Sequence, residues 1–491
     1  MAPARQFEIA LGILRDLRAA GHEAYLAGGC VRDLLLGREP IDYDVATSAT
    51  PDLVLKMFPR TFGVGAHFGV VLVATEVEAG ATASHEPAAG SESGKPEFVL
   101  TEVATFRSDG AYSDGRHPDA VRYTESAEED VRRRDFTING LLLDAPRAAE
   151  HLHHLEKLRS AVIDFVGGLA DLDAGVIRAI GRPELRFEED RLRMLRAVRF
   201  AARFGFEIED GTRAAIRALA PRIHAVSRER LRDELTRMLT EGHARRAFEL
   251  IDETGLLAQV LPEVEKMKGV AQPPQFHPEG DVWTHTLLLL EQLEAGCAFT
   301  LAWGALLHDV GKPPTFRRAP DRIRFDGHVE VGVAMGAEIC RRFRFSNEET
   351  RQILALIENH MRFADAPRMK ASTLKRFFRL ADFDQHLALH RMDCLAAHRN
   401  LEIYEFVRER FEAMPQEEVR PQPLLTGREL IAAGYAPGPG FKEMLGAVED
   451  AQLEGTIATE DQALALVRER FGEGTANGVR GPAPGVQDPG L

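Results

Sequence analysis

Phe7, Leu11, Leu14 and Leu17 recur at helical spacing with Arg15, Asp16 and Arg18 between them, a pattern that predicts an amphipathic helix at the start of the chain. The period then shortens. Glu23–Ala27, Tyr43–Ala46, Gly69–Thr75 and Phe98–Phe106 read as strands, with a short apolar helix over 31–36, so residues 20–145 alternate strand and helix. From about 147 to 265 the pattern is helical and rich in arginine; residues 270–400 are helical again, but marked by regularly placed histidines. Farther on, Pro437-Gly438-Pro439-Gly440-Phe441 precedes a capping-box start at Thr459–Gln462 that opens an Ala/Leu helix. Two stretches lack any period. Residues 77–97, rich in Ala, Gly, Ser and Glu, predict a disordered hairpin insertion, which a surface loop tolerates at small entropic cost, and the Gly/Pro-rich end predicts a disordered tail. The expected divisions are 1–146, 147–265, 270–405, 406–470 and 471–491.

Composition narrows what such a chain does. The 491 residues suggest about three domains at roughly 150 residues each. A net charge of −15 argues against indiscriminate polyanion binding, so any nucleic-acid contact must come from a local basic surface. Residues 178–237 supply one, with 15 Arg and no Lys against 10 acids, although i, i+4 pairing on solvated helices accounts for part of it. Cys30, Cys297, Cys340 and Cys394 have no CxxC spacing and fit reduced thiols. The N-terminus lacks a signal-peptide layout and no apolar run reaches membrane-spanning length. A cytoplasmic protein without a membrane partner is expected, and no stable protein partner is implied.

The chemistry is densest around Gly28-Gly29, Arg32 and Asp42-Tyr43-Asp44. On a strand, acids at i, i+2 share a face, where they can hold hard Mg²⁺ ions against a phosphate. Glycines without a Cβ let the backbone approach a triphosphate, the following helix start offers N–H groups, and Arg32 adds a cation. This unit resembles the head of the class II tRNA nucleotidyltransferase and bacterial poly(A) polymerase family. The resemblance implies an α+β fold: a polymerase-beta-like head of mixed sheet and helices, then an all-α neck and body.

Later motifs follow the family's order. Glu102, in Thr101-Glu102-Val103-Ala104-Thr105-Phe106-Arg107, stands where the resemblance puts a third catalytic carboxylate. Residues 107–118, with two glycines and paired charges, resemble the family's flexible loop. Arg132-Arg133-Arg134-Asp135-Phe136-Thr137-Ile138-Asn139 matches its RRDFTxN motif, which implies that Arg134, Asp135 and Asn139 bind triphosphate or ribose. In Glu188–Phe200, Asp190 and Arg193 are expected to share a helix face at i, i+3. An Asp accepts from an exocyclic amino group and an Arg donates to ring acceptors, so the pair can mimic a Watson–Crick partner of cytosine or adenine and reject guanine and uracil. Arg196 and Arg199 continue the helix's cationic side towards phosphates. Ser227–Leu235 resembles the neck, where Arg230 and Glu234 are expected to brace the nucleotide-reading helix.

In the second helical region, His285, the pair His308-Asp309 before Gly311-Lys312, His328, His360 and Asp393 come from successive helices and can chelate one or two divalent metals. They resemble an HD-type metal-dependent phosphohydrolase, implying Mg²⁺ or a transition metal there and action on phosphorylated 2′ or 3′ RNA ends or small nucleotides. The whole chain is expected to add CCA to the tRNA 3′ end from CTP and ATP with Mg²⁺ in the head. The rivals are an A-adding sibling, a poly(A) polymerase, or an HD phosphohydrolase with a non-catalytic RNA-binding head.

Overall fold

The structure, a computed structural model, describes residues 3–63, 69–77, 97–110, 121–148 and 154–474. The expected insertion, most of the flexible loop and nearly all of the tail lie outside them. The opening apolar stripe behaves as its period requires: Phe7, Leu11, Leu14 and Leu17 are buried, and the helix Pro3–Ala19 that carries them packs on the sheet.

The strands of that sheet are β1 (Ala24–Ala27), β2 (Val45–Thr47), β3 (Thr61–Phe62), β4 (Val70–Val77) and β5 (Glu97–Thr105); β6 (Arg107–Asp109) and β7 (Val121–Tyr123) form a separate hairpin, and β8 (Leu142–Leu143) and β9 (Val162–Ile163) complete the sheet. Its order is β3-β4-β5-β2-β1-β8-β9, mixed because only β2 and β5 run parallel. That one parallel pair sets the site. Val45 opposes Val103, so one step earlier Asp44 comes beside Glu102.

The chain divides into two compact units, Met1–Val270 with Leu290–Ala302 and Glu338–Phe345, and Ala271–Leu289 with Trp303–Ala337 and Ser346–Leu491. In the first, the arginine-rich segment folds as helices Pro183–Glu189, Leu192–Phe204, Asp210–Leu219, Arg228–Thr240 and Ala244–Glu253, with Leu192–Phe204 packed between the last two and the others' cores supplied by residues such as Leu195, Val198, Leu231 and Phe248. In the second, helices Ala371–Phe378 and Phe383–Ala396 contribute Phe377, Phe378 and Phe383 to an aromatic core that also contains Phe363. A smaller core of Leu425, Leu430, Tyr435, Val448, Ala463 and Val467 lies beneath helices Gly427–Ala432, Gly440–Leu453 and Glu460–Phe471, the last opened by the expected Thr459–Gln462 capping box. Among the described residues no helix is long and apolar enough to cross a membrane.

Candidate active sites

In the first unit a cavity of about 750 Å³ is lined by Gly28, Gly29, Arg32, Asp42, Asp44 and Glu102 from the sheet side, and by Arg134, Asp135, Asn139, Asp190, Arg193, Arg196 and Arg199 from the helices. Every head residue singled out in the sequence therefore faces one space. Gly28 has a positive φ (+74°) that strains any other residue, and a Cβ there would come 2.9 Å from Arg134 Nη1 and push that guanidinium aside.

The acids do not sit where the strand reading places them. β2 begins only at Val45, so Asp42 and Asp44 lie in the irregular segment before it, with the Ala27 N–H donating to the Asp44 carbonyl at 3.0 Å. Burial, then the charges of Asp42 and Glu102, push the Asp44 carboxyl up to about 7, with Arg134 only partly opposing. Burial and Asp42 raise Glu102 likewise. Asp42, Asp44 and Glu102 offer the hard oxygen donors that a divalent cation takes, but their oxygens are not gathered to ligand spacing as those of the second unit are.

The cations are locked together beforehand. Arg32, buried and stacked on the Phe200 and Phe204 rings, donates to Asp33 (2.9 Å) and Asn139. Asn139 donates to Asp135 at 3.0 Å, and Arg196 closes the chain on the other oxygen of Asp135 at 2.9 and 2.7 Å. Burial alone would raise Asp135, but Arg196 and the Asn139 amide hold it down to about 2. Arg133 and Arg134 share Asp130.

Asp190 and Arg193 are brought to the same cavity, but not as two rungs of one helix. Asp190 stands in extended backbone (φ −142°, ψ 105°) between helices Pro183–Glu189 and Leu192–Phe204, and its carboxylate accepts from the Leu192 N–H at 3.1 Å. A short side chain that caps the next helix competes with continuing the last one. Arg230 grips both Asp190 oxygens at 3.1 and 2.7 Å, and Arg193 is held by Glu189 (2.7 Å) and the carbonyls of Arg186 and Arg133. Arg199 does not reach freely towards a phosphate: it is buried and paired with Glu234 at 2.6 Å. The cavity also contains Arg203, Arg237 and Ile41, which the sequence reading omits. Arg203 was within reach, since it extends the Arg196, Arg199 stripe by one helical turn.

The second unit brings together His285, His308, Asp309, His328, His360 and Asp393. His285 Nε2 lies 3.0 Å from Asp393 and 3.9 Å from Asp309, His308 Nε2 3.2 Å from Asp309, and His360 Nε2 3.8 Å from Asp309. The Nδ1–H groups of His308, His328 and His360 donate to the carbonyls of Ala305, Phe325 and Ile357 at 2.9, 2.9 and 2.7 Å. That fixes the tautomer and leaves each Nε2 lone pair outward. The Nε2 atoms of all four histidines and Asp309 Oδ1 are buried without a hydrogen-bond partner, and Asp309 Oδ2 is held by the Lys312 ammonium. Imidazole and carboxylate donors orphaned in this way fit one or two divalent metals, which would satisfy them. Burial disfavours a charge on His285, yet Asp393 and Glu279 raise it to about 9, while His308 and Lys312 hold Asp309 well below the usual carboxylate range against its burial. Beside the site, Lys312 Nζ bridges Asp309 and Gln272 at 2.7 Å each, and a cavity of about 730 Å³ opens past His277, Lys312, His328 and Asp393.

Three family profiles match in this order: "Poly A polymerase head domain" over residues 24–178, "Probable RNA and SrmB- binding site of polymerase A" over 205–268, and "HD domain" over 282–384. The CCA-adding enzyme of Geobacillus thermodenitrificans is 32% identical over 463 residues, 93% of this chain and 95% of that protein. The chain belongs to the CCA-adding enzyme family. That of Lactobacillus johnsonii is 36% identical over 289 residues, 58% of this chain and 64% of its own. A crystal structure of the Bacillus stearothermophilus CCA-adding enzyme in complex with CTP superposes with a TM-score of 0.67 at 28% identity, covering 96% of this chain and 98% of that one. Membership makes this chain an enzyme, a nucleotidyltransferase of the CCA-adding family with an HD domain.

Proposed function

We propose that this protein completes the tRNA 3′ end with C, C and A from CTP and ATP, without a nucleic-acid template, in the cavity of the first unit. The observation that carries this is the convergence of Asp42, Asp44 and Glu102 with Asp190 and Arg193 on one space. The bond formed joins the tRNA 3′ oxygen to the nucleotide α-phosphorus; the bond broken releases pyrophosphate. Asp42 and Asp44, with Glu102, would hold Mg²⁺, which when bound makes the hydroxyl a better nucleophile and offsets the leaving group's charge. The Gly28-Gly29 backbone, Arg32 and Arg134 receive the triphosphate, and Asp135 and Asn139 stand where the ribose is held. Asp190 accepts from the amino group of C or A while Arg193 donates to the ring acceptor, and Arg230 keeps Asp190 aimed. Arg196 and Arg199 hold the reading helix through Asp135 and Glu234. A cytoplasmic place of work follows from a tRNA substrate.

The test supplies tRNAs ending before C, after one C and after CC with labelled CTP or ATP and Mg²⁺. C enters the first two and a single A enters the third. Addition of A alone, only to the CC end, would instead mark an A-adding enzyme, and long A tracts a poly(A) polymerase.

The four orphaned Nε2 atoms favour a second activity beside the first: metal-dependent hydrolysis of phosphorylated 2′ or 3′ RNA ends or small nucleotides by the HD unit. Hydrolysis of a 2′,3′-cyclic phosphate by the native chain, measured before and after chelation, tests it; a rate unmoved by chelation would rule it out.

A further inference from the structure

Building on the metal-dependent reading of the HD unit, we propose that Glu279 is a positioning residue for that site, aiming His285 at the metal and setting how tightly the metal is held. His308, His328 and His360 all donate Nδ1–H to the backbone carbonyl three residues earlier. His285 breaks the rule. Its corresponding carbonyl, that of Val282, already accepts from the Thr286 hydroxyl at 2.8 Å, and the ring turns instead to Glu279, with Nδ1 2.7 Å from Oε1. Since a carboxylate only accepts, Nδ1 carries a proton, and Nε2 is turned towards Asp393 and Asp309, where a bound metal would take the place of its proton.

Glu279 lies in the short segment before helix Val282–Leu290, its side chain 6% exposed, its Oε2 buried without a partner. The same Oε1 accepts from His277 Nδ1 at 2.9 Å; the three side chains also stand close enough together to hold an ion directly, and the His277→Ala variant below separates the two arrangements. An anion behind a ligating imidazole makes it a stronger donor than a carbonyl does. His285 is thus the one ligand among the four whose basicity depends on a removable charge.

The measurement is a Co²⁺ titration of the full chain read by visible absorption, for the native protein, Glu279→Gln, Glu279→Asp and His277→Ala, with nucleotide addition by the head as the check on folding. Glu279→Gln, which keeps an acceptor but no charge, weakens Co²⁺ binding about 10- to 100-fold. Glu279→Asp recovers part of that, and His277→Ala stays within about threefold of native. Glu279→Gln binding Co²⁺ like the native chain overturns the proposal. So does His277→Ala losing as much as Glu279→Gln, because the two would then ligate directly. A native chain that gives no Co²⁺ spectrum overturns the metal reading beneath it.

Discussion

In the first unit's cavity the guanidiniums of Arg32, Arg196, Arg199 and Arg230 are already held by Asp33, Asp135, Glu234 and Asp190, whereas in the second unit's cavity four imidazoles point unpartnered Nε2 atoms at Asp309 and Asp393. The first arrangement suits substrates that come and go. Its cations are oriented before the triphosphate arrives, so ordering them costs little at the moment of binding. Among the described residues, Asp42, Asp44 and Glu102 form no ion pair, and Arg134 is the cation that acts on Asp44. The second arrangement is built around something that stays, because buried lone pairs left open cost stability until an ion fills them. One cavity is organised by its own ion pairs, the other by a ligand it awaits.

The sharpest way to separate the two is to spoil the imidazole site alone. His308→Ala with Asp309→Ala lowers hydrolysis of a 2′,3′-cyclic phosphate by about 10³-fold or more and leaves C and A addition at the native rate, both read in one preparation. Unchanged hydrolysis would remove the HD unit as its source. Next comes the brace of the first cavity. Glu234→Ala leaves the nearly buried Arg199 with the longer contact to Glu241 at 3.5 Å and costs up to about 3–5 kcal/mol of unfolding free energy, measured by urea denaturation. A loss below about 1 kcal/mol would mean that the pair is not what holds the reading helix.

Acid probes the same network. The folded Asp135 is held to about 2 against 3.8 unfolded, so its contribution is full above pH 4 and is lost as pH falls from about 4 to 2. It is worth on the order of 2 kcal/mol, and Asp135→Asn should flatten that part of the stability curve in urea titrations. An unchanged slope would show that Arg196 contributes nothing there. The smallest effect is on base choice. Arg230→Ala loosens Asp190 and reduces discrimination of CTP and ATP over UTP and GTP by about tenfold, about 1.4 kcal/mol, in competition assays.

Much of this was legible because it is local. The Phe7–Leu17 stripe, the strands leading to Gly28 and Glu102, and the Thr459 capping box each depend on period or on neighbours a few residues away. The place of Asp190 was harder, since Glu188–Phe200 carries no Gly or Pro to announce a break. Only an Asp's preference for capping a helix start pointed to one. Arg199 with Glu234 spans 35 residues and Arg196 with Asp135 spans 61, pairings that depend on how helices pack and leave no mark in spacing. Glu279 lay in plain view two residues after His277, but its task became visible only when the Val282 carbonyl proved occupied.

The central claim is that nucleotide addition depends on the acidic pair of the first cavity, while hydrolysis belongs to a separate site. Asp44→Ala, assayed in a single sample for C and A addition to tRNA and for 2′,3′-cyclic phosphate hydrolysis, tests it most directly. Both additions are expected to be abolished while hydrolysis continues at the native rate; additions that persist, or hydrolysis that disappears with them, would show that the two activities do not divide between the two sites.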